Sequence, residues 1–198
     1  MKNWAARFSL ATMVTLMAAM AWAVQPGSPA PDFTAQDTHG QTHSLAEYKG
    51  KYVVLEWHNR ECPYTHKHYE SGNMQRLQKE WTAKGVVWFT VISSAPGTQG
   101  YMTADQENAY VEKMNASPTA VLLDSSGQLG HLYGAKTTPH MFVISPEGVL
   151  LYDGAIDGKP TTDTEDMLRP TTMCRRRWKK PWRASPSALP ARVLMVVR

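Results

Sequence analysis

Cys62 stands in NRECPYTHKHYESGNM, residues 59–74, with Pro63 directly behind it and His58, His66 and His68 close by in the chain. The stretch follows a hydrophobic run and opens what reads as a helix, so the thiol falls at a helix N-terminus. Unpaired backbone N–H groups and the positive end of the helix dipole gather there, and both favour thiolate, the nucleophilic form of cysteine. Pro63 suits a first helical turn, where a missing N–H costs nothing. This placement makes a reactive cysteine, and the chemistry it suggests is redox or nucleophilic. A second chemistry uses the same residues. His58, Cys62 and His66 at four-residue spacing, with His140 far downstream, supply sulfur and imidazole ligands suited to copper or zinc. Glu56 interrupts an apolar run six residues before the cysteine. A carboxylate buried beside the thiol could shuttle protons with its pKa raised by desolvation; one facing outward, or paired with a cation, would do neither.

The surrounding text supplies the elements that must hold these groups. TAQDTHGQTHSL reads as a short hairpin turning at His39-Gly40, and LAEYKGK as one helical turn stopped by Gly50. YVVLEWH, VVWFTVIS and TAVLLD are near-continuous apolar runs of strand length, as central strands buried on both faces would be. Residues 63–83 read as a helix broken near Gly72, and residues 103–114 as a helix opened by a Thr103/Gln106 capping box. HMFVISPEGVLLYDG is a hairpin turning at Pro146-Glu147-Gly148. The order predicts an α/β fold around a mixed sheet, with Val53, Val54, Leu55, Val87, Phe89, Val91, Val121, Leu122, Phe142, Ile144 and Leu150 in its core.

Residues 1–23 read as a secretory signal: Lys2 and Arg7 precede an uncharged, mostly apolar stretch that ends in Ala21-Trp22-Ala23. That places a mature domain, residues 24–166, in an oxidising compartment such as a bacterial periplasm or outside the cell, without stable membrane insertion once the signal is cleaved. The formal charge of +4 invites a nucleic-acid reading, but residues 24–166 hold ten basic and seventeen acidic side chains, a net −7. No nucleic-acid partner is therefore expected. The excess of positive charge belongs to residues 167–198, which lack Asp and Glu, hold four prolines and show no helical or strand period. Loss of one nucleotide at codon 167 would explain that irregular basic tail as out of frame and would make Cys174 an accident of frame. If the tail is genuine, Arg175, Arg176, Arg177, Lys179 and Lys180 suit a polyanion.

APDF leading into the domain, WHNRECPYT around the cysteine and TTPHMFVISPEG before the last hairpin resemble the thioredoxin-like superfamily. Within it they are similar to the redoxin branch, the alkyl hydroperoxide reductase and thiol-specific antioxidant type. The resemblance implies a thioredoxin-like fold in which Pro139, behind Thr138, is cis and faces the cysteine. It also implies a peroxide or disulfide substrate, an external thiol reductant (thioredoxin-like or a small thiol), no cofactor, and a peroxiredoxin-like antioxidant role in redox homeostasis. The chain departs from that family's pattern at telling places. Thr65 occupies the second cysteine position of a dithiol oxidoreductase, and Asn59 the position of the peroxiredoxin threonine. No arginine lies between Arg76 and Arg169 to polarise a peroxide, which leaves Arg60 or Lys67 as local substitutes.

The expected catalytic group is therefore Cys62, Pro139, Thr65 and Glu56, with Trp57, Asn59, Pro63 and Thr138 meeting the substrate and Trp57 packed against the site loop. Two alternatives stay open. One resembles the Sco group of copper-binding proteins and uses Cys62, His66 and His140. The other is a redox-inactive thioredoxin-fold interaction module.

Overall fold

Alternation of side chains along an apolar strand gives a sheet two inner faces, and here both are filled. The structure, a computed structural model, describes residues 24–167. The signal-like segment 1–23 and all of the basic tail beyond Met167, with its Cys174 and its frame, lie outside the described residues. Seven strands run β1 (Thr34–Asp37), β2 (Thr42–Ser44), β3 (Val53–Trp57), β4 (Val87–Ile92), β5 (Ala120–Leu123), β6 (His140–Ile144) and β7 (Leu150–Gly154). They form one mixed sheet in the order β2-β1-β5-β4-β3-β6-β7. β3, β4 and β5 are parallel to one another, and the flanking strands join them antiparallel.

Leu55, Trp57, Phe89, Val91, Phe142 and Leu150 fill one face together with Phe33 and Tyr133. Val54, Trp88, Met141 and Val143 fill the other, under Tyr69, Met74, Leu77 and Trp81 from the helices. All eleven core residues expected from the sequence are buried. The helices are α1 (Pro63–Glu70), α2 (Asn73–Thr82), α3 (Ala104–Lys113) and α4 (Gln128–Tyr133). Gly72, at φ 72°, divides α1 from α2 in the left-handed conformation that glycine adopts without strain. α3 opens on the expected capping box of Thr103 and Gln106. Among the described residues no helix is long and apolar enough to cross a membrane.

α4 has no counterpart in the sequence reading. It is six residues long, lies between Gly127 and Gly134 and contains Gly130, so nothing in its own propensity announces a helix. Its start is held from outside: Asp124 accepts the Leu129 N–H at 3.0 Å and the Gly130 N–H at 2.9 Å.

α1 is held by polar contacts. Lys67, 1% exposed, pairs with Asp157 Oδ2 at 2.7 Å and donates to the Lys159 carbonyl at 3.1 Å. His68, also buried, reaches the same carboxylate at 3.4 Å. Burial pushes the Asp157 carboxyl up, but the His68 and Lys67 contacts outweigh it and hold the pKa at about 2. A carboxylate whose pKa is depressed on folding stabilises the fold above its unfolded value and loses that contribution as pH falls through the folded value. Acid titration of stability should therefore show about 2 kcal/mol lost between roughly pH 4 and pH 2, and Asp157→Asn should abolish that component. The variant should also lose about 3 kcal/mol at neutral pH in denaturant melts, because it leaves Lys67 buried without its counter-charge.

Candidate functional site

The site is assembled where β3 ends and β6 begins. These strands pair antiparallel with Trp57 opposite His140, so the loop leaving β3 and the loop entering β6 emerge at the same edge of the sheet. The first loop carries Cys62 and the second carries Pro139. The Thr138–Pro139 peptide bond is cis, as the resemblance implied. The Cys62 thiol donates to the Thr138 carbonyl at 3.0 Å.

Asn59 shapes the loop ahead of the thiol. Its carbonyl accepts the Cys62 N–H at 3.1 Å, and its Oδ1 accepts the Glu61 N–H at 2.9 Å. Its Nδ2 donates to the Gln99 carbonyl at 3.3 Å, which ties the loop to the chain after β4. Gly100 lets that chain come close: at φ 77°, a Cβ there would lie 2.2 Å from Asn59 Oδ1. Cys62 is the N-cap of α1 with Pro63 as its first residue, and its carbonyl accepts the His66 N–H at 2.9 Å. Burial pushes the thiol pKa up. Hydrogen bonding with Thr138, the backbone N–H groups of Thr65 and Tyr64, and the Thr65 hydroxyl outweigh it and hold the thiol below its ordinary value. The Thr138 carbonyl also accepts from the S–H, which holds the sulfur against the loop entering β6.

Thr65 is fully buried, and its hydroxyl is one of the groups that favour the Cys62 thiolate. Trp57 packs against Tyr133 and Phe142, with ring centroids 5.9 and 5.2 Å away, and so lies in the core at the base of the site. Its Nε1–H donates to Ser93 Oγ at 3.0 Å, and Ser93 donates to Asp124 Oδ2 at 2.6 Å. A cavity of about 350 Å³ opens beside this chain, walled by Trp57, Ser93, His131, Lys136, Thr137 and Thr138. Ser93 and Asp124 were not picked out by sequence reasoning. The available signal was an aspartate closing a strand ahead of Ser-Ser-Gly, a pattern that offers a carboxylate to nearby backbone N–H groups.

Glu56 lies on the face of the sheet opposite Trp57. It is fully buried and accepts from Tyr69 Oη at 2.9 Å, Gln78 Nε2 at 3.0 Å, Trp88 Nε1 at 2.8 Å and Thr90 Oγ1 at 3.4 Å. Four neutral donors thus surround a carboxylate for which the sequence suggested a thiol neighbour, an outward face or a cationic partner. His58 is buried beside it, with Nδ1 3.7 Å from Glu56 Oε1. Lys67 is committed to Asp157, which removes it as a stand-in for a peroxide-polarising arginine. Arg60 is half-buried in the wall of a second cavity, with His66, Tyr110 and Lys113.

The proposed metal ligands do not converge. His66 is exposed and pairs with Glu70 at 3.2 Å, while both His140 nitrogens are engaged, Nδ1 by the Lys136 N–H at 3.2 Å and Nε2 by Asp153 at 2.7 Å. Among the described residues no group of three His, Cys, Asp or Glu side chains could hold a metal ion.

Comparisons with known proteins agree with this geometry. Residues 26–153 match the profile of the AhpC/TSA family. The thiol-disulfide oxidoreductase ResA of Bacillus subtilis is 26% identical over 151 residues, 74% of this chain and 78% of ResA. A hypothetical protein of Sinorhizobium meliloti superposes with a TM-score of 0.62 at 21% identity, over 73% of this chain and 81% of that one. A thiol:disulfide interchange protein from a Bacteroides species superposes with a TM-score of 0.53 at 21% identity, over 66% and 82% of the two chains. These superpositions establish the thioredoxin-like α/β fold.

Two outcomes are expected at this site. The rate of Cys62 alkylation against pH should have its midpoint below the roughly 8.5 of a free cysteine, and a midpoint at or above that value would contradict the helix-end argument. Gly100→Ala should cost at least about 1 kcal/mol in thermal or chemical melts, through both the positive φ and the collision with Asn59, and should shift that same midpoint.

Proposed function

We propose, from the premise that this chain belongs to the AhpC/TSA family, that it is a thiol-disulfide oxidoreductase working through the thiol of Cys62. The observation that carries the reading is the position of that sulfur, at the first turn of α1 and against the Thr138 carbonyl beside cis Pro139. The likeness to ResA, named a thiol-disulfide oxidoreductase, supports the same class. The oxidant is a disulfide or a peroxide. With a disulfide, the Cys62 thiolate attacks one sulfur, a mixed disulfide forms and the other sulfur leaves as a thiolate. Thr65 stands where a dithiol enzyme has its second sulfur, so this mixed disulfide is resolved by an external thiol, either a thioredoxin-like protein or a small molecule. Pro139 and Thr138 flank the reacting sulfur, Asn59 and Pro63 set its loop and helix, and Trp57 floors the neighbouring cavity.

The signal-like N-terminus supports work in the periplasm or outside the cell, where a disulfide or peroxide persists. An antioxidant or redox-homeostatic role follows if peroxide is the oxidant.

Intact-mass spectrometry tests this. The mature protein, treated with an aromatic disulfide or with hydrogen peroxide and then digested, should carry its adduct on the Cys62 peptide. A small thiol should remove it, and Cys62→Ser should carry none. A Cys62 that forms no adduct with either oxidant while the protein stays folded would reject the reading in favour of a redox-inactive module.

A further inference from the structure

The wall of the second cavity gathers charged residues that the chemistry of the thiol does not itself use. The cavity holds about 500 Å³, within the range of sites that take small molecules. Arg60 and Glu61 reach it from the loop before α1, His66 from α1, and Gln106, Tyr110 and Lys113 from α3. Arg60 stands two residues before Cys62, so their Cα atoms lie within about 7 Å of each other. The His66 N–H donates to the Cys62 carbonyl at 2.9 Å. The cavity thus opens next to the end of α1 that carries the sulfur.

Its charge runs against that of the domain. Residues 24–166 carry a net −7, whereas Arg60 and Lys113 in this wall face Glu61 alone, since His66 is paired with Glu70. Among the described residues, ion pairs engage Lys67, Arg76, Lys84 and Lys159 but neither Arg60 nor Lys113. Arg60 is half-buried, so an anion that met it there would be screened less than at the open surface. Burial pushes the neighbouring Glu107 carboxyl up, against the pull of His58 and of Arg60, which acts on it without an ion pair. Tyr110 adds a donor. Burial and the Glu107 and Glu56 carboxylates push its pKa up to about 12, so its hydroxyl keeps the proton.

We propose that this cavity holds the carboxylate end of a small disulfide derived from an amino acid or short peptide. Arg60 and Lys113 are its counter-charges, and Glu61 meets an ammonium group of the same molecule. The inference rests on the Cys62 reading and deepens it by naming the class of disulfide. A guanidinium offers a carboxylate two parallel N–H groups, and such charge-assisted bonds are the strong ones. With one half of the disulfide held, the Cys62 thiolate attacks the sulfur of that half. A bond forms between the two sulfurs, the S–S bond of the substrate breaks, and the other half leaves as a thiolate that takes a proton from solvent.

The test follows, by mass, the rate of Cys62 adduct formation with three disulfides. Glutathione disulfide carries carboxylates and ammonium groups, 2-hydroxyethyl disulfide is neutral, and cystamine is cationic. Each rate is divided by that for the neutral disulfide, which cancels any change in the reactivity of the thiol itself. In Arg60→Gln the glutathione ratio should fall about tenfold, the effect of losing a charge-assisted hydrogen bond, while the cystamine ratio rises. In Lys113→Gln, at an exposed position, the glutathione ratio should fall about threefold. Lys79→Gln removes the same charge from an exposed position on α2, outside the cavity, and should leave both ratios near wild type. The inference is overturned if the glutathione ratio of Arg60→Gln stays within about twofold of wild type, or if Lys79→Gln lowers it as far, which would mark a long-range effect of charge. In either case adducts on Cys62 would still uphold it as the reacting thiol. A folded chain that forms no adduct with any of the three disulfides overturns the Cys62 reading and this site together.

Discussion

The antiparallel pairing of β3 with β6 is the constraint on which the site depends. Register in a sheet is quantised, because a slip of one residue turns every side chain to the other face. With Trp57 opposite His140, Trp57 enters the core with Phe142, and Glu56 enters the other core with Trp88 and Tyr69. The two loops that meet at this edge carry the cysteine and the cis proline. A slip by one residue would bury the Glu56 carboxylate among Phe89, Val91 and Phe142, where no donors await it, and would carry Cys62 away from Thr138. The cost of an unpaired buried charge therefore guards the position of the thiol.

Opposed influences set the reactivity of that thiol. Partial burial favours S–H, while hydrogen bonding with Thr138, the N–H groups at the start of α1 and the Thr65 hydroxyl favour S⁻ and prevail. The second group depends on a helix start that Pro63 fixes without wasting a donor. The loop entering β6 and the start of α1 thus act together on the sulfur. The thiol lies where elements from distant parts of the chain meet.

Much of this was legible in the residues themselves. The three parallel strands announced themselves as apolar runs, α3 by its capping box, and the division of α1 from α2 by Gly72. Cys62-Pro63 at a strand–helix junction was enough to locate the candidate site. What stayed hidden depends on partners distant in sequence. α4 contains a glycine and is bounded by two more, and it forms because Asp124 holds its first N–H groups. The surroundings of Glu56 come from Tyr69, Gln78, Trp88 and Thr90, on three stretches of chain that no local pattern links to it. His66 and His68 look alike in sequence, but one is exposed and the other buried, because only His68 lies on the side of α1 that meets Asp157. The spacing that suggested a metal site reads helix position without knowing what covers it.

The short helix behind the thiol has an unusual inner face: Thr65, Lys67, His68 and Tyr69 are its buried residues, and none of them is aliphatic. Oily contacts tolerate sliding and rotation, since dispersion forces barely depend on direction. Ion pairs and hydrogen bonds do depend on it, and they act as pins. The bond from Lys67 to Asp157 and that from Tyr69 to Glu56 fasten α1 at two points around its circumference, one to the chain beyond β7 and one to the sheet. A cylinder pinned at two bearings can neither roll nor creep along its axis. The sulfur at its tip thereby acquires a fixed compass heading, which loosely packed leucines could not have given it.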